Sequence, residues 1–263
     1  MKKHIELLAA YAVQFIKVRF AYRADFLIST AASMLATVFA FGFLMILFQR
    51  VPRLAGWSFE EVLFLYGFSL IPFGMFNVVS LNLYNFGNDF IIEGKFDRVL
   101  LRPVASLHQV IFEVFRIESL HEVVLGLLAV WLAAARLHLA WGPLEFVLFA
   151  FFALCGGIIY VSIFLMLTCV SFWVEDRVGV HPPVWNMIAF GRYPLSIYSG
   201  FVQFMLSWII PFGFASFYPS VRLLGRPEFR LYAWLVPVVA AAFLTMALAL
   251  WNRGVRNYAS TGS

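Results

Sequence analysis

The sequence predicts an all-α integral membrane protein of six transmembrane helices, preceded by an interfacial amphipathic helix and with both termini in the cytoplasm. Three observations carry this. Hydrophobic residues make up 63% of the 263-residue chain and charged residues 13%, where a soluble domain carries ~25% charged residues. Apolar runs long enough to cross a ~30 Å hydrocarbon core recur along the chain. Lysine and arginine are distributed unevenly between the segments that connect them.

The first element, residues 1–24, interleaves its polar and apolar positions. Lys3, Glu6, Gln14 and Lys17 recur at helical spacing with Ala10 completing the stripe, while Ile5, Leu8, Ala12, Phe15 and Ile16 fill the opposite side. This is the pattern of a helix lying in the membrane interface, an anchoring elbow before the first span. It lacks the separate basic and apolar regions of a signal peptide.

The spans follow at about 26–48, 62–83, 111–135, 144–174, 195–217 and 231–251. The first is stopped by Gln49, Arg50, Pro52 and Arg53, and the second contains Pro72. The third has a wholly apolar part, 123–135, of only 13 residues, so it must carry charge to reach across. The fourth is bordered by Trp141 and Trp173 at levels where indole rings commonly sit. The fifth is crowded by Pro182, Pro183 and Pro194 and broken by Pro211 and Gly213. Cys155 and Cys169 share one apolar run, ~21 Å apart along a helix at ~1.5 Å per residue, and cannot bridge each other. They read as small apolar fillers.

Between the second and third spans lies a charged block, residues 82–103, with Asp89, Glu93, Lys95, Asp97, Arg98, Arg102 and a terminating Pro103. Each such charge costs ~2.5–3.5 kcal/mol at the centre of a membrane helix. The block must therefore lie in water beside the membrane. With six spans and an inner N-terminus, 13 of the 19 basic residues fall on the inner side. The block and both termini are then cytoplasmic. The net charge of +5 is met by anionic inner-leaflet lipid and asks for no nucleic acid.

A second polar group opens the third span: Glu113, Arg116, Glu118, His121 and Glu122 lie within ten residues. Intramembrane carboxylates can relay protons; alternatively the helix begins in the cytoplasm and these groups sit near the interface. Glu118 and His121 spell a Glu-x-x-His half-motif, but a di-metal bundle needs a second copy, so no metal is expected. No Gly-x-x-x-x-Gly-Lys-[Ser/Thr] phosphate loop occurs. If ATP drives this protein, another subunit hydrolyses it.

The segment Ile92-Glu93-Gly94-Lys95-Phe96-Asp97-Arg98-Val99-Leu100-Leu101-Arg102-Pro103 resembles the cytoplasmic loop of type-2 ABC transporter permeases with a Gly-x-Leu/Phe-Asp-x-x-Leu-x-x-Pro signature. Tyr193-Pro194-Leu195-Ser196-Ile197-Tyr198, followed by Ile210-Pro211-Phe212-Gly213-Phe214 and Tyr218-Pro219, looks like the fifth-span region of the same branch. The resemblance covers nearly the whole chain. It implies one permease domain over residues 1–263, in the bacterial cytoplasmic membrane, that forms the substrate route of an ABC exporter with a second permease, identical or related. It also implies that residues 84–104 form a coupling helix docking on a cytoplasmic ATPase subunit, present in two copies, which carries the ATP and magnesium. Asp89, Glu93, Gly94, Phe96, Asp97, Arg98, Arg102 and Pro103 are then the expected docking residues, with Asp89, Glu93, Asp97 and Arg98 exposed and Phe90, Ile91, Phe96 and Leu100 as apolar knobs. The chain itself is expected to be a transport subunit and not an enzyme. A proton-coupled secondary transporter using the third-span carboxylates is the alternative; it would be supported by inverted repeats, and none is visible.

Overall fold

A computed structural model describes residues 23–174 and 180–259, and those residues are helical with no strand. The expected elbow helix lies outside the described residues, apart from its last two positions.

Four long helices coincide with expected spans. Helix α1, Arg23–Arg50, has Asp25 in its first turn and Arg50 in its last, each sign complementing the helix dipole. Helix α2, Phe59–Ser80, opens on a reciprocal capping box: the Ser58 amide donates to Glu61 Oε2 at 2.8 Å and the Glu61 amide to Ser58 Oγ at 3.3 Å. Two short helices, α3 (Lys95–Leu100) and α4 (Ser106–Ile111), lie in the following connection. Helix α5, Leu120–Arg136, is the third span and is shorter than expected. Helix α6, Pro143–Cys169, begins with a proline, where a missing N–H costs nothing, and Glu145 reaches back to accept the Gly142 amide at 3.0 Å.

Helix α2 is the axis of the bundle. It packs along α5 through a glycine seam: a Cβ on Gly67 would stand 2.7 Å from Ala129 Cβ, one on Gly126 would stand 2.6 Å from the Gly67 carbonyl oxygen, and one on Gly74 would stand 2.8 Å from Val123. Only hydrogen side chains allow these backbones to approach so closely. On its other flank Pro72 of α2 packs against Gly156 of α6, where a Cβ would meet Pro72 at 2.9 Å and the Ala215 carbonyl at 2.6 Å.

The expected fifth span, 195–217, does not run straight through. Helix α7 (His181–Met187) continues through short 3-10 turns, Ile188–Arg192 and Leu195–Ile197, and this irregular stretch itself traverses the bundle. At one end His181 Nε2 lies 3.2 Å from Thr168 near the close of α6; at the other, Ser196 accepts a hydrogen bond from Trp57 Nε1 at 3.1 Å, just before α2 begins. Beyond it, Gly200–Ile209 (α8, Gly200–Phe204, plus a π turn) and Phe212–Leu223 (α9, Phe212–Ala215, then α10, Phe217–Leu223) meet at 70°. Both arms start from the Trp57 end, because the Leu223 carbonyl accepts from Trp141 Nε1 at 3.3 Å. Their apex reaches inward to Tyr160, whose ring is 5.3 Å from that of Phe212. The apolar stretch is thus a re-entrant hairpin. Its reversal is tied within the hairpin by Ser207 Oγ to Tyr218 Oη at 2.7 Å, and to the traverse by Ser216 Oγ donating to the Gly191 carbonyl at 2.6 Å, as buried backbone in an apolar medium requires. Helix α11, Val236–Asn257, is the last span. Cys155 and Cys169 are both free and buried.

One placement corrects the charge count. Arg192, assigned from the sequence to an inner connection, sits within the bundle beside Tyr66 and Phe73. The bias of the remaining basic residues is unchanged in direction.

Candidate functional site

After α2 ends at Ser80 the chain winds through a 3-10 turn, Leu81–Asn85, and a π turn, Gly87–Ile92, before α3. The connection is tied to itself by side chains that replace missing backbone partners. The Asn82 amide donates to the carbonyls of Val110 and Ile111, and Gln109 Nε2 donates to those of Val99 at 3.0 Å and Val104 at 2.8 Å. The block is a folded element, not a slack linker.

Gly94 sets the direction of α3. Its φ of 68° is left-handed, a region costing an L-residue about 1–2 kcal/mol. Gly94→Ala is therefore expected to destabilise the connection by about that much, read as a lower thermal midpoint of the purified protein, with no change in the total amount synthesised.

Two of the expected docking residues turn inward. Phe96 is fully buried in an aromatic cage, its ring 5.6 Å from Phe86, 5.3 Å from Phe172, 6.0 Å from Trp251 and 5.0 Å from Tyr258. Beside it, Asp97 Oδ1 accepts a hydrogen bond from Tyr258 Oη at 2.9 Å. Burial, with this hydrogen bond and the Asp97 charge, pushes the Tyr258 phenol up to about 12, so it remains a donor at any physiological pH. Trp251 Nε1 donates to Ser106 Oγ at 3.4 Å, and Gly254 presses on the Phe172 ring. The element is therefore clamped to the final turns of α11. Phe90 and Ile91 are buried as well, which corrects the expectation that they and Phe96 form surface knobs. The burial follows from a shared requirement: these aromatics close the gap where α2, α6 and α11 end together.

The outward face belongs to other residues. Glu93, Arg98, Leu100, Leu101, Arg102 and Pro103 are exposed, Leu101 at 84%. Asp89 and Asp97 are half-buried. The exposure of Leu101 was not foreseen, because consecutive leucines read alike until the helix orientation is known. Lys95 pairs with Glu93 at 2.8 Å, and that hydrogen bond holds the ammonium pKa above its usual value. Behind this face is a cleft of about 190 Å³ lined by Phe90, Lys95, Arg98, Val99, Arg102, Gln109 and Glu113. Burial raises the Glu113 carboxyl, opposed by the nearby Lys95 and Arg102 charges.

The polar group at the third span is divided between these levels. Glu113 and Arg116 are exposed and precede the helix; Glu118 is buried in a 3-10 turn; His121 and Glu122 occupy the first turn of α5. His121 Nδ1 lies 2.6 Å from the Glu118 carbonyl, and Glu122 Oε2 accepts from Asn77 at 2.7 Å. A carboxylate in a first turn is favoured by the helix dipole. The five groups therefore do not line up as a chain along the helix. Among the described residues no three His, Cys, Asp or Glu side chains gather as a metal would need.

The comparisons with known proteins agree with this architecture. The ABC-2 family transporter protein family matches the chain over residues 33–262. No curated protein and no solved structure gives a significant match. Proton-coupled secondary transport receives no support. The match spans the long apolar helices, the clamped connection and the re-entrant hairpin, and on that basis the chain belongs to the ABC-2 transporter family, as a multi-pass membrane permease.

Proposed function

We propose that this permease is the membrane subunit of an ATP-driven exporter in the bacterial cytoplasmic membrane. It forms the substrate route with a second permease, and the connection around α3 docks on a cytoplasmic ATPase subunit that holds the ATP and magnesium. The observation that carries the reading is a folded, clamped element with a mixed apolar and charged outer face, in a chain of ABC-2 type. Leu100 and Leu101 supply buried contact area to a partner, and Glu93, Arg98 and Arg102 supply charge-assisted hydrogen bonds. Because Phe96 and Asp97 grip Tyr258 and the last turns of α11, a push on the outer face moves the last span together with α2. ATP-driven closure of two such ATPases is then transmitted to the second and the last spans of the permease.

The test is retention of an ATPase subunit during purification. Arg98→Asp combined with Leu101→Asp alters only exposed positions. Losing a charged contact at an interface costs about 2–5 kcal/mol, so the complex is expected to weaken roughly 30-fold or more, with normal permease yield. Unchanged retention of the ATPase in this variant would remove the docking role from the segment.

A further inference from the structure

We propose that Arg192 is the binding point for the negatively charged head of an amphiphilic substrate, an anion such as a phosphate, sulfate or carboxylate carried on an apolar body; this rests on the permease reading above. Arg192 lies on the irregular traverse, between the end held by His181 and the end held by Ser196. Its guanidinium carbon is 5.6 Å from the centre of the Tyr66 ring and 5.0 Å from that of Phe73. Those residues stand seven and fourteen positions into α2 from Phe59, or about 10 and 20 Å along the helix at ~1.5 Å per residue. That is the middle of a ~30 Å apolar core.

A cation at that depth is costly, and such residues face a water-filled route or a partner. Among the described residues no carboxylate approaches Arg192 within ion-pair distance. Its one hydrogen bond runs from Nη1 to Tyr66 Oη at 3.2 Å, and its buried Nε has no partner. Glu122 feels the Arg192 charge but hydrogen-bonds Asn77, one turn beyond Phe73, and does not reach ion-pair distance. The residue is only partly buried, so it is not sealed inside the protomer. A planar fork with unused donors in a dry setting suits a bidentate oxyanion.

The surroundings specify the rest of the ligand. The backbone at Arg192 is fixed from behind by the hairpin: the Gly191 carbonyl accepts from Ser216, and Gly191 is packed so closely on Phe212 that a Cβ would stand 3.1 Å from Phe212 Cβ. Phe190, exposed on the same stretch, and the half-buried Tyr193 offer apolar surface beside the charge, over the buried rings of Tyr66 and Phe73. A small hydrated anion has no use for that surface. An alkyl or aromatic body does.

The test is equilibrium binding of radiolabelled dodecyl phosphate to the purified permease in a neutral detergent, with no ATPase present. The Arg192→Gln variant is expected to bind at least tenfold more weakly, and Arg192→Lys, which keeps the charge, to lose less. Dodecyltrimethylammonium and inorganic phosphate are both expected to fail as competitors. Equal binding by wild type and Arg192→Gln, or competition by the ammonium compound, overturns the site; competition by inorganic phosphate overturns its amphiphilic character. Should Arg192→Gln yield no folded protein, a tenfold gain in dodecyl phosphate binding over dodecyltrimethylammonium that is equal in wild type and Arg192→Lys supports a charge-only site, and absence of any such preference overturns it. Because binding is read on the permease alone, failure here leaves the ATPase-docking proposal standing, and the reverse also holds.

Discussion

Phe96→Ala is expected to be among the most damaging single changes in the chain, lowering stability by about 3–5 kcal/mol, the range for removing a buried phenylalanine. The ring is fully buried and touches aromatics from three separate parts of the chain, Phe86, Phe172 and the Trp251–Tyr258 turn. No neighbouring backbone can collapse into the space without moving the end of a span. The measurable result is loss of monodisperse protein on extraction and a lowered thermal midpoint, together with loss of any ATPase stimulation in the protein that survives. Phe96→Leu should recover part of the yield. Wild-type yield and midpoint for Phe96→Ala would mean that the aromatic cage does not hold the connection. Asp97→Asn is the contrasting change for the Tyr258 contact, since an amide oxygen still accepts from Tyr258, and its effect should be smaller than that of Phe96→Ala.

The second large effect is expected at the glycine seam. Gly126→Val places side-chain atoms where a Cβ alone would already be 2.6 Å from the Gly67 carbonyl oxygen and 2.9 Å from Ile71. A backbone carbonyl cannot swing aside as a flexible side chain does, so the two helices must separate along their length. The cost belongs at or above the ~1–3 kcal/mol usual for overpacking, and the folded fraction recovered from membranes should drop severalfold. Gly42→Val in α1 is the control, because nothing stands within 4 Å of its added Cβ. Equal yields for the two variants would show that the seam tolerates widening.

The sequence disclosed the spans built from unbroken apolar runs and misplaced the crossing that carries polar residues and prolines. Helices α1, α2, α6 and α11 are long apolar runs, and hydropathy alone locates them. Residues 181–197 carry His181, Pro182, Pro183, Asn186, Arg192 and Pro194, which read as a connection. The structure threads them through the bundle because Thr168, Tyr66, Trp57 and the hairpin supply the partners that lipid does not. Residues 200–223 are apolar enough to cross, and a hairpin that enters and returns has the same composition as a span that passes through. Only the positions of its two ends, against Trp57 and Trp141, separate the two cases. At the docking segment, charge identified the element, while a six-residue helix flanked by 3-10 and π turns has too little periodicity to show which side faces out. Phe96, expected on the outer face, is buried for that reason, and Leu101, for which nothing was expected, is exposed.

The contrast between α1 and α2 has a consequence for synthesis. In the most apolar stretch of α1 only 6% of residues are buried, against 78% in α2. As ribosomes deliver the chain, α1 can pass into the bilayer at once, since it buries almost none of its surface against the rest of the chain. Helix α2 cannot. It brings Ser69, Asn77 and Ser80 to buried positions, and the Glu122 carboxylate that receives Asn77 lies 45 residues further along. The Asn77 amide gains its Glu122 acceptor only when α5 is present, which favours inserting the two helices as a pair. The glycine seam then forms early, and a bulky residue there would hold apart two helices that must meet to satisfy each other's polar groups.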